Sequence, residues 1–531
     1  MHIRAFHDYP SRRSPVLADN VVATSHPLAA QAGLQMLAKG GNAVDAALAA
    51  AITLPLVEPT GNGLGSDAFA ILWDGSELHG LNASGRSPAA WSPDRFAGHE
   101  KMPFRGWDTV TVPGAVSGWV ALSDRFGALP FADLCEPAFR YATDGYTVTP
   151  KIAALWKRAE TEIADQPGFA QAFLPGGKAP VAGDRFASPD MARTLQLIAE
   201  TKGAAFYQGE LAAKIDAFAK EHGAALRDSD LHDHAPDWCG TLAQPVALGA
   251  SLHEIPPNGQ GIAAQMALGM LAHTDLDGLD VDDPRAMHLQ IEAMKLALRD
   301  TEHYVADPTS MDHVTAQDLL NPTYLAQRAA LITDTAQNFG LGAPKNGGTV
   351  NLTAADASGM MVSFIQSNYA GFGSGVVVPG TGISLQNRGA GFSLDPTNQN
   401  AVAGGKRPFH TIIPGFLMGP EHPLMSFGVM GGPMQAQGHV QMVHRILMNG
   451  QDPQMAIDAP RWRVTEGLGV ACESALPIAT RDALENMGHQ ITLEAPNAAF
   501  GFGGAQAIWR QDNGSYIAGS DSRKDGAAVG F

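Results

Sequence analysis

The stretch from Thr349 to Phe392 limits the fold more than any other part of the chain. In TVNLTAAD (349–356) and MMVSFIQS (360–367), apolar and polar residues alternate on either side of Ala357-Ser358-Gly359. Strand side chains point to opposite faces with a period of two, so each run reads as a strand and the pair as a hairpin. GTGISLQN (380–387) reads as a third strand, reached through the glycine-bearing connection NYAGFGSG (368–375). The pattern is that of a layered α/β or α+β core with antiparallel hairpins. On spacing alone, the Gly348-Thr349 pair is simply where the first strand begins.

Upstream, Asn42 to Thr53 is an alanine-rich helix whose small side chains allow close packing against a sheet, followed by the glycine-rich turn EPTGNGLGSDAF (58–69). AFAILWDGSELHGLNASG (68–85) reads as two strands joined at Asp74-Gly75. A second helix spans roughly 284–301, with Pro284 in its first turn and Met287, Ile291, Met294 and Leu298 on one core-packing face. The 59 glycines cluster in GFGSG (371–375), GGP (431–433) and GFGG (501–504), where tight turns can present backbone N–H groups.

Several function classes are excluded by what the chain lacks. With 35 Lys and Arg against 53 Asp and Glu, the net charge of −18 opposes a broad phosphate-binding surface, so nucleic acid is not an expected partner. No G-x-G-x-x-G dinucleotide fingerprint, G-x-x-x-x-G-K-[ST] loop, H-E-x-x-H or G-x-S-x-G is present. Cys135, Cys239 and Cys472 are widely separated and have no metal-ligand spacing, which fits a reducing compartment. The apolar run at 42–59 contains Asp45 and Pro55 and is too short to span a bilayer, and no secretory signal is visible at the start. A cytoplasmic protein with no membrane contact is expected. His288 has no partner at metal-binding spacing, and no metal or organic cofactor is expected.

Taken in order, NGGTVNLTAADASGMMVSFIQSNYAGFGSG, GTGISLQNRGAGFS, GKRPFHTIIP and VMGGPMQAQGH resemble the small-subunit half of the γ-glutamyltranspeptidase family, members of the N-terminal-nucleophile hydrolases. The similarity continues upstream through GGNAVDAALAAAI, SGRSPAAW, TVPGAVSGW, HEIPPNGQG and HLQIEAMKLALRD, and downstream to DSRKDGAAVG. It implies an α+β fold, a four-layer αββα sandwich. It also implies a precursor that cuts itself between Gly348 and Thr349 into a large part, 1–348, and a small part, 349–531, which stay together as a heterodimer and could pair further as a dimer of heterodimers. The cut supplies the catalytic base: a threonine hydroxyl is a weak nucleophile, and the freed α-amino group, with a reference pKa of about 7.7–8, can take its proton.

The resemblance assigns Thr349 as nucleophile, Ser367 as the hydroxyl that orients it, and Gly431 and Gly432 as oxyanion donors. It aligns Arg86 with the arginine that grips the substrate carboxylate, with Arg388, His410, Thr411 and Tyr369 as further substrate-binding positions. Departures from the family pattern bear on the substrate. Gly391 stands where an acid usually holds the glutamyl α-amino group, His410 and Thr411 replace a serine pair, Tyr369 replaces an asparagine, and the connection between Ser393 and Lys406 is short for a lid. The expectation is hydrolysis of a small amide whose acyl group carries a carboxylate but no amino group, with oxamate-amidohydrolase-like activity favoured. A γ-glutamyl (glutathione) hydrolase or transpeptidase, a glutaryl-cephalosporin acylase and an unprocessed binding protein are the alternatives.

Overall fold

The computed structural model describes residues 13–340, 347–495 and 501–531; the reading of the N-terminal segment falls largely outside these. Two seven-stranded sheets form its centre. In the first, the strands run Val16–Ala18, Tyr516–Ser520, Gly504–Arg510, Pro423–Met430, Gly415–Met418, Ser251–Glu254 and Leu242–Pro245 from edge to edge. In the second, the order is Ala527–Gly530, Val21–Thr24, Gly348–Ala355, Met361–Tyr369, Asp67–Trp73, Leu78–Ala83 and Asp237–Trp238. Neighbours in both are antiparallel.

Each sheet is apolar on both faces, so each must be covered twice. The inner faces meet through Phe69, Ile71, Ile365, Ile412, Phe416, Ile508 and Tyr516, all fully buried. Polar bridges also cross this layer: Thr353 Oγ1 lies 2.5 Å from Ser426 Oγ, and Ser363 Oγ donates to Phe427 O at 2.7 Å. Gly428 permits the approach, because a Cβ there would lie 2.1 Å from Asn351 Nδ2. Outside the second sheet lies the alanine-rich helix Ala43–Val57, buried along its whole length. Outside the first lie Gly261–Leu271, Pro284–Tyr304 and Met434–Val443. The architecture is the αββα sandwich expected from the sequence.

Local chemistry explains where the elements depart from the sequence pattern. The alanine-rich helix opens on a capping box between Asn42 and Asp45 and continues past Thr53 through Pro55. A proline there removes the N–H that would bond Ala51 O, and Gln366 Nε2 from the adjacent sheet donates to that carbonyl instead, at 2.8 Å. The expected third strand is reduced to Ile383–Ser384, paired with Val377–Val378 outside both main sheets. Gly380 and Gly382 adopt φ of 70° and 67°, which breaks the extended run before it can join a sheet.

The C-terminal DSRKDG motif closes the sandwich with a buried ionic network. Asp521 accepts from Arg461 Nη2 at 2.7 Å and Arg523 Nη1 at 3.2 Å, while Arg523 Nη2 also meets Glu473 Oε2 at 2.5 Å. Burial alone would raise the Asp521 carboxyl, but the two guanidinium groups and the N–H donors of Ala505 and Arg523 hold it well below the ordinary range. A folded-state pKa below the unfolded value contributes stability at neutral pH that is lost as the solution is acidified below about pH 4. Asp521→Asn is expected to cost about 3–5 kcal/mol, as removal of one member of a buried ion pair does. Urea unfolding at pH 7 checks this, and the difference from the parent should narrow on acidification.

Candidate active site

Gly348–Ala355 is a central strand, flanked by Val21–Thr24 and Met361–Tyr369, and its register shifts between Gly348 and Val350. The irregularity falls on Thr349, and bulges of this kind re-aim a side chain. Thr349 is buried, with its Oγ1 2.7 Å from Gly348 O and 3.2 Å from Ser367 Oγ. Ser367 Oγ donates to Gly348 O at 2.7 Å and accepts from Tyr369 N at 2.8 Å. The hydroxyl of residue 349 and the carbonyl before it are thus held against each other by a residue of the neighbouring strand. Gly347 is threaded past Tyr369, where a Cβ would lie 2.9 Å from the tyrosine carbonyl oxygen.

Two amides that lie inside the family-like motifs without a chemical signal of their own, Gln435 and Gln260, complete this arrangement. Gln435, fully buried in the first turn of Met434–Val443, accepts from Ile413 N at 3.0 Å through Oε1 and directs Nε2 toward Thr349 Oγ1 at 3.4 Å. Gln260 Nε2 donates to Gly432 O at 2.9 Å and Thr411 O at 2.6 Å. It thereby fixes the Gly431-Gly432 turn, whose φ values are 124° and 62°. Neither glycine N–H donates a hydrogen bond to the described residues. Neutral amides carry no charge or pKa signal, so only their spatial convergence distinguishes them.

A cavity of about 730 Å³ opens beside this cluster. Its buried end is formed by Gln260, Tyr369, Arg388, Thr411 and Pro433, and its exposed end includes Glu100, Lys101, Glu302 and Asp395. Arg388 is almost fully buried; its Nη1 donates to Thr411 Oγ1 at 2.7 Å, and its guanidinium carbon lies 5.0 Å from the Tyr369 ring centroid. Its Nε and Nη2 are buried without a hydrogen-bond partner among the described residues. Burial lowers its pKa to about 10, against the pull of Asp67 and Tyr369, which leaves it charged at neutral pH.

The remaining expected binding residues are placed differently. Arg86 directs Nη1 to Asp307 Oδ2 at 3.0 Å and Gly405 O at 3.1 Å, is 44% exposed at its side chain, and does not line the cavity. His410 engages both ring nitrogens inside the protein: Nε2 meets Asp67 Oδ2 at 3.1 Å, and Nδ1 accepts from Ile412 N at 3.3 Å. Burial, with Arg388 and Arg407 nearby, lowers its pKa well below the usual value and keeps it neutral. Its neighbour Thr411 reaches the cavity instead. Gly391, where an acid was noted as missing, forms part of the same wall.

His288 does have a histidine neighbour, supplied from far along the chain. Its Nδ1 is 2.9 Å from His489 Nε2, and Glu292 completes a group of possible metal donors. That group is already used internally: Glu292 pairs with Lys295 at 2.8 Å and accepts from Gln337 N at 3.0 Å, and His288 Nε2 meets Thr333 O at 2.8 Å.

An αββα sandwich with a hydroxyl folded onto its own preceding carbonyl at the head of a central strand defines the class of N-terminal-nucleophile hydrolases, enzymes that cut carbon–nitrogen bonds. Comparison with known proteins gives the family. Residues 29–531 match the family described as Gamma-glutamyltranspeptidase, and the chain belongs to that family. It superposes on the crystal structure of cephalosporin acylase from Bacillus halodurans with a TM-score of 0.95 and 44% identity, covering 100% of this chain and 99% of that one. It is 36% identical to the oxamate amidohydrolase proenzyme of Klebsiella pneumoniae, over 98% of this chain and 99% of that protein. Identity to the glutathione hydrolase-like YwrD proenzyme of Bacillus subtilis is 34%, over 98% of this chain and 100% of that protein. Among the described residues, no helix is long and apolar enough to cross a membrane.

Proposed function

We propose that this protein is an autoprocessing acylase: it cuts itself between Gly348 and Thr349, then hydrolyses amides whose acyl group ends in a carboxylate. The observation that carries the substrate reading is Arg388, a buried cation that borders the cavity and whose Nε and Nη2 have no hydrogen-bond partner among the described residues. A buried guanidinium with unmet donors is costly even with Asp67 nearby, and a substrate carboxylate meets that need with forked geometry. The cavity is larger than a substrate as small as oxamate fills. Its volume lies in the range of sites that enclose drug-sized ligands, so a longer dicarboxylic acyl group with a bulky amine fits it better. Similarity to a cephalosporin acylase supports the same choice.

In maturation, Thr349 Oγ attacks the Gly348 carbonyl carbon, the peptide C–N bond breaks, and the hydroxyl proton ends on the new α-amino group. Water then cleaves the resulting ester, leaving a carboxylate on Gly348 and a free hydroxyl on Thr349. In turnover, the α-amino group takes the Thr349 proton as Oγ attacks the substrate amide and passes it to the departing amine; water resolves the acyl ester. Gly431 and Gly432 offer their N–H groups to the tetrahedral oxyanion. The 1–348 and 349–531 parts stay associated, since both contribute strands to each sheet.

Ser367→Ala is expected to slow self-cleavage about tenfold, the equivalent of roughly 1.4 kcal/mol, by removing the hydroxyl that holds Gly348 O and Thr349 Oγ together. Intact mass against time after purification measures this. For the substrate reading, amine or ammonia release is measured on glutaryl, γ-glutamyl and oxamate amides with mature protein. The expected order places glutaryl compounds first. A γ-glutamyl preference would overturn it in favour of the second reading, a γ-glutamyl hydrolase, for which Glu100, Glu302 and Asp395 along the same cavity offer acids for an amino group.

A further inference from the structure

We infer that Gln435 is a further catalytic residue, which donates a hydrogen bond to Thr349 Oγ and stabilises that oxygen whenever it carries negative charge. The inference rests on the reading of Thr349 as nucleophile. The orientation of the amide follows from its neighbours. Ile413 N–H can only donate, so the oxygen of Gln435 must face it, at 3.0 Å, and the NH₂ group must face Thr349 Oγ1, at 3.4 Å.

The side chain has little freedom to do otherwise. Gln435 is fully buried, its backbone N–H bonds Gly432 O at 3.1 Å, and that same carbonyl accepts from Gln260 Nε2 at 2.9 Å. One residue thus ties the glycine turn, the Ile413 backbone and the threonine oxygen together. It also stands in the first turn of a ten-residue helix, where the aligned peptide dipoles favour negative charge. The 3.4 Å separation exceeds the usual 2.7–3.2 Å of an N–H···O bond, and contacts of this kind tighten as the acceptor gains charge.

The chemistry locates where this donor acts. In the acyl-enzyme, Oγ is bonded to the acyl carbon. Water adds as the Thr349 α-amino group takes its proton; when the tetrahedral intermediate collapses, the C–Oγ bond breaks, the electron pair stays on Oγ, and the α-ammonium returns the proton to restore the hydroxyl. The Gln435 N–H meets that electron pair. The same oxygen leaves in the second half of self-cleavage, when the Gly348 ester is hydrolysed. During attack the donor also lowers the nucleophilicity of Oγ, so its net benefit falls on resolution of the ester. In the precursor Ser367 cannot replace it, because its own hydroxyl proton is directed at Gly348 O.

Two substitutions test this on the full chain. Gln435→Met keeps the length of the side chain and removes the donor. Gln435→Glu keeps an oxygen for Ile413 N–H and replaces the donor with a group that donates only when protonated. In mature protein verified by mass, Gln435→Met is expected to lower kcat about 10- to 100-fold with a parallel fall in KM, because slower resolution of the acyl ester leaves kcat/KM unchanged. An acyl adduct on the 349–531 fragment should accumulate during turnover of an activated glutaryl anilide, and maturation of the precursor should slow with an ester intermediate visible by hydroxylamine trapping. Activity of Gln435→Glu relative to the parent should rise as the pH is lowered. Parent-like kcat in Gln435→Met, or a fall in kcat without acyl-enzyme accumulation and with no relative recovery of Gln435→Glu in acid, would overturn the inference and leave Gln435 as a support for Ile413. Failure of the nucleophile reading shows separately, as absence of any adduct on Thr349 in the parent.

Discussion

Thr349→Ala is expected to remain a single chain of 531 residues and to have no measurable amidase activity. The nucleophilic hydroxyl and the amino group that later serves as base both belong to residue 349, so the substitution removes the first and prevents the second from forming. Nothing else in the cluster can substitute: Ser367 Oγ is committed to Gly348 O and Tyr369 N, and the neighbouring amides of Gln260 and Gln435 are not nucleophiles. The fold should survive, because only one small hydroxyl is lost from a strand paired on both sides. Intact mass on fresh and incubated protein reads the first part, and amine release from a glutaryl anilide reads the second. Cleavage of the alanine variant at the same bond would show that processing comes from elsewhere.

Arg388→Met carries the next largest expected effect, a fall of about 100-fold in kcat/KM on a glutaryl amide. Each charged hydrogen bond lost is worth about 1.5–3 kcal/mol, and each 1.36 kcal/mol corresponds to tenfold in rate. The loss on a neutral butyryl amide of the same amine should be several-fold at most. Arg388→Lys should fall between, since a single ammonium cannot reproduce the fork that keeps Nη1 on Thr411 while Nε and Nη2 meet a carboxylate. Arg86→Met, at a guanidinium turned to Asp307 and Gly405, should have the smaller effect of the two arginines. Equal losses on charged and neutral amides in fully processed Arg388→Met would make that arginine a support for Asp67 and Tyr369.

The elements were readable because their main signals are local, whereas the four-layer αββα arrangement followed from the family resemblance. Alternation in 349–369, the Asp74-Gly75 hairpin and the capped alanine helix each specify an element within a few residues, and all are present. Where the reading stopped short, the deciding partner came from far away in sequence. Pro55 stays inside a helix because Gln366 takes the freed carbonyl, and no window around residue 55 contains Gln366. The candidate nucleophile cluster was legible only through resemblance, since Gly348-Thr349 alone is an ordinary strand start. The candidate carboxylate partner was blurred further. Arg86, Arg388 and His410 are all cationic or polar residues in recognisable motifs, and only burial and partner geometry separate an arginine with two donors unpartnered among the described residues from one paired with Asp307 and a histidine held by Asp67.

The central question is whether Thr349, once it is an N-terminus, carries the acyl group of a carboxylate-bearing amide. Mature protein mixed with excess glutaryl anilide, quenched in acid within the first turnovers and mapped by peptide mass spectrometry, tests this directly. The predicted result is a small-fragment peptide beginning at Thr349 that is heavier by one glutaryl group, with the ester removed by hydroxylamine. Steady anilide hydrolysis with an unmodified Thr349 peptide, or a glutaryl group on any other residue, would contradict it.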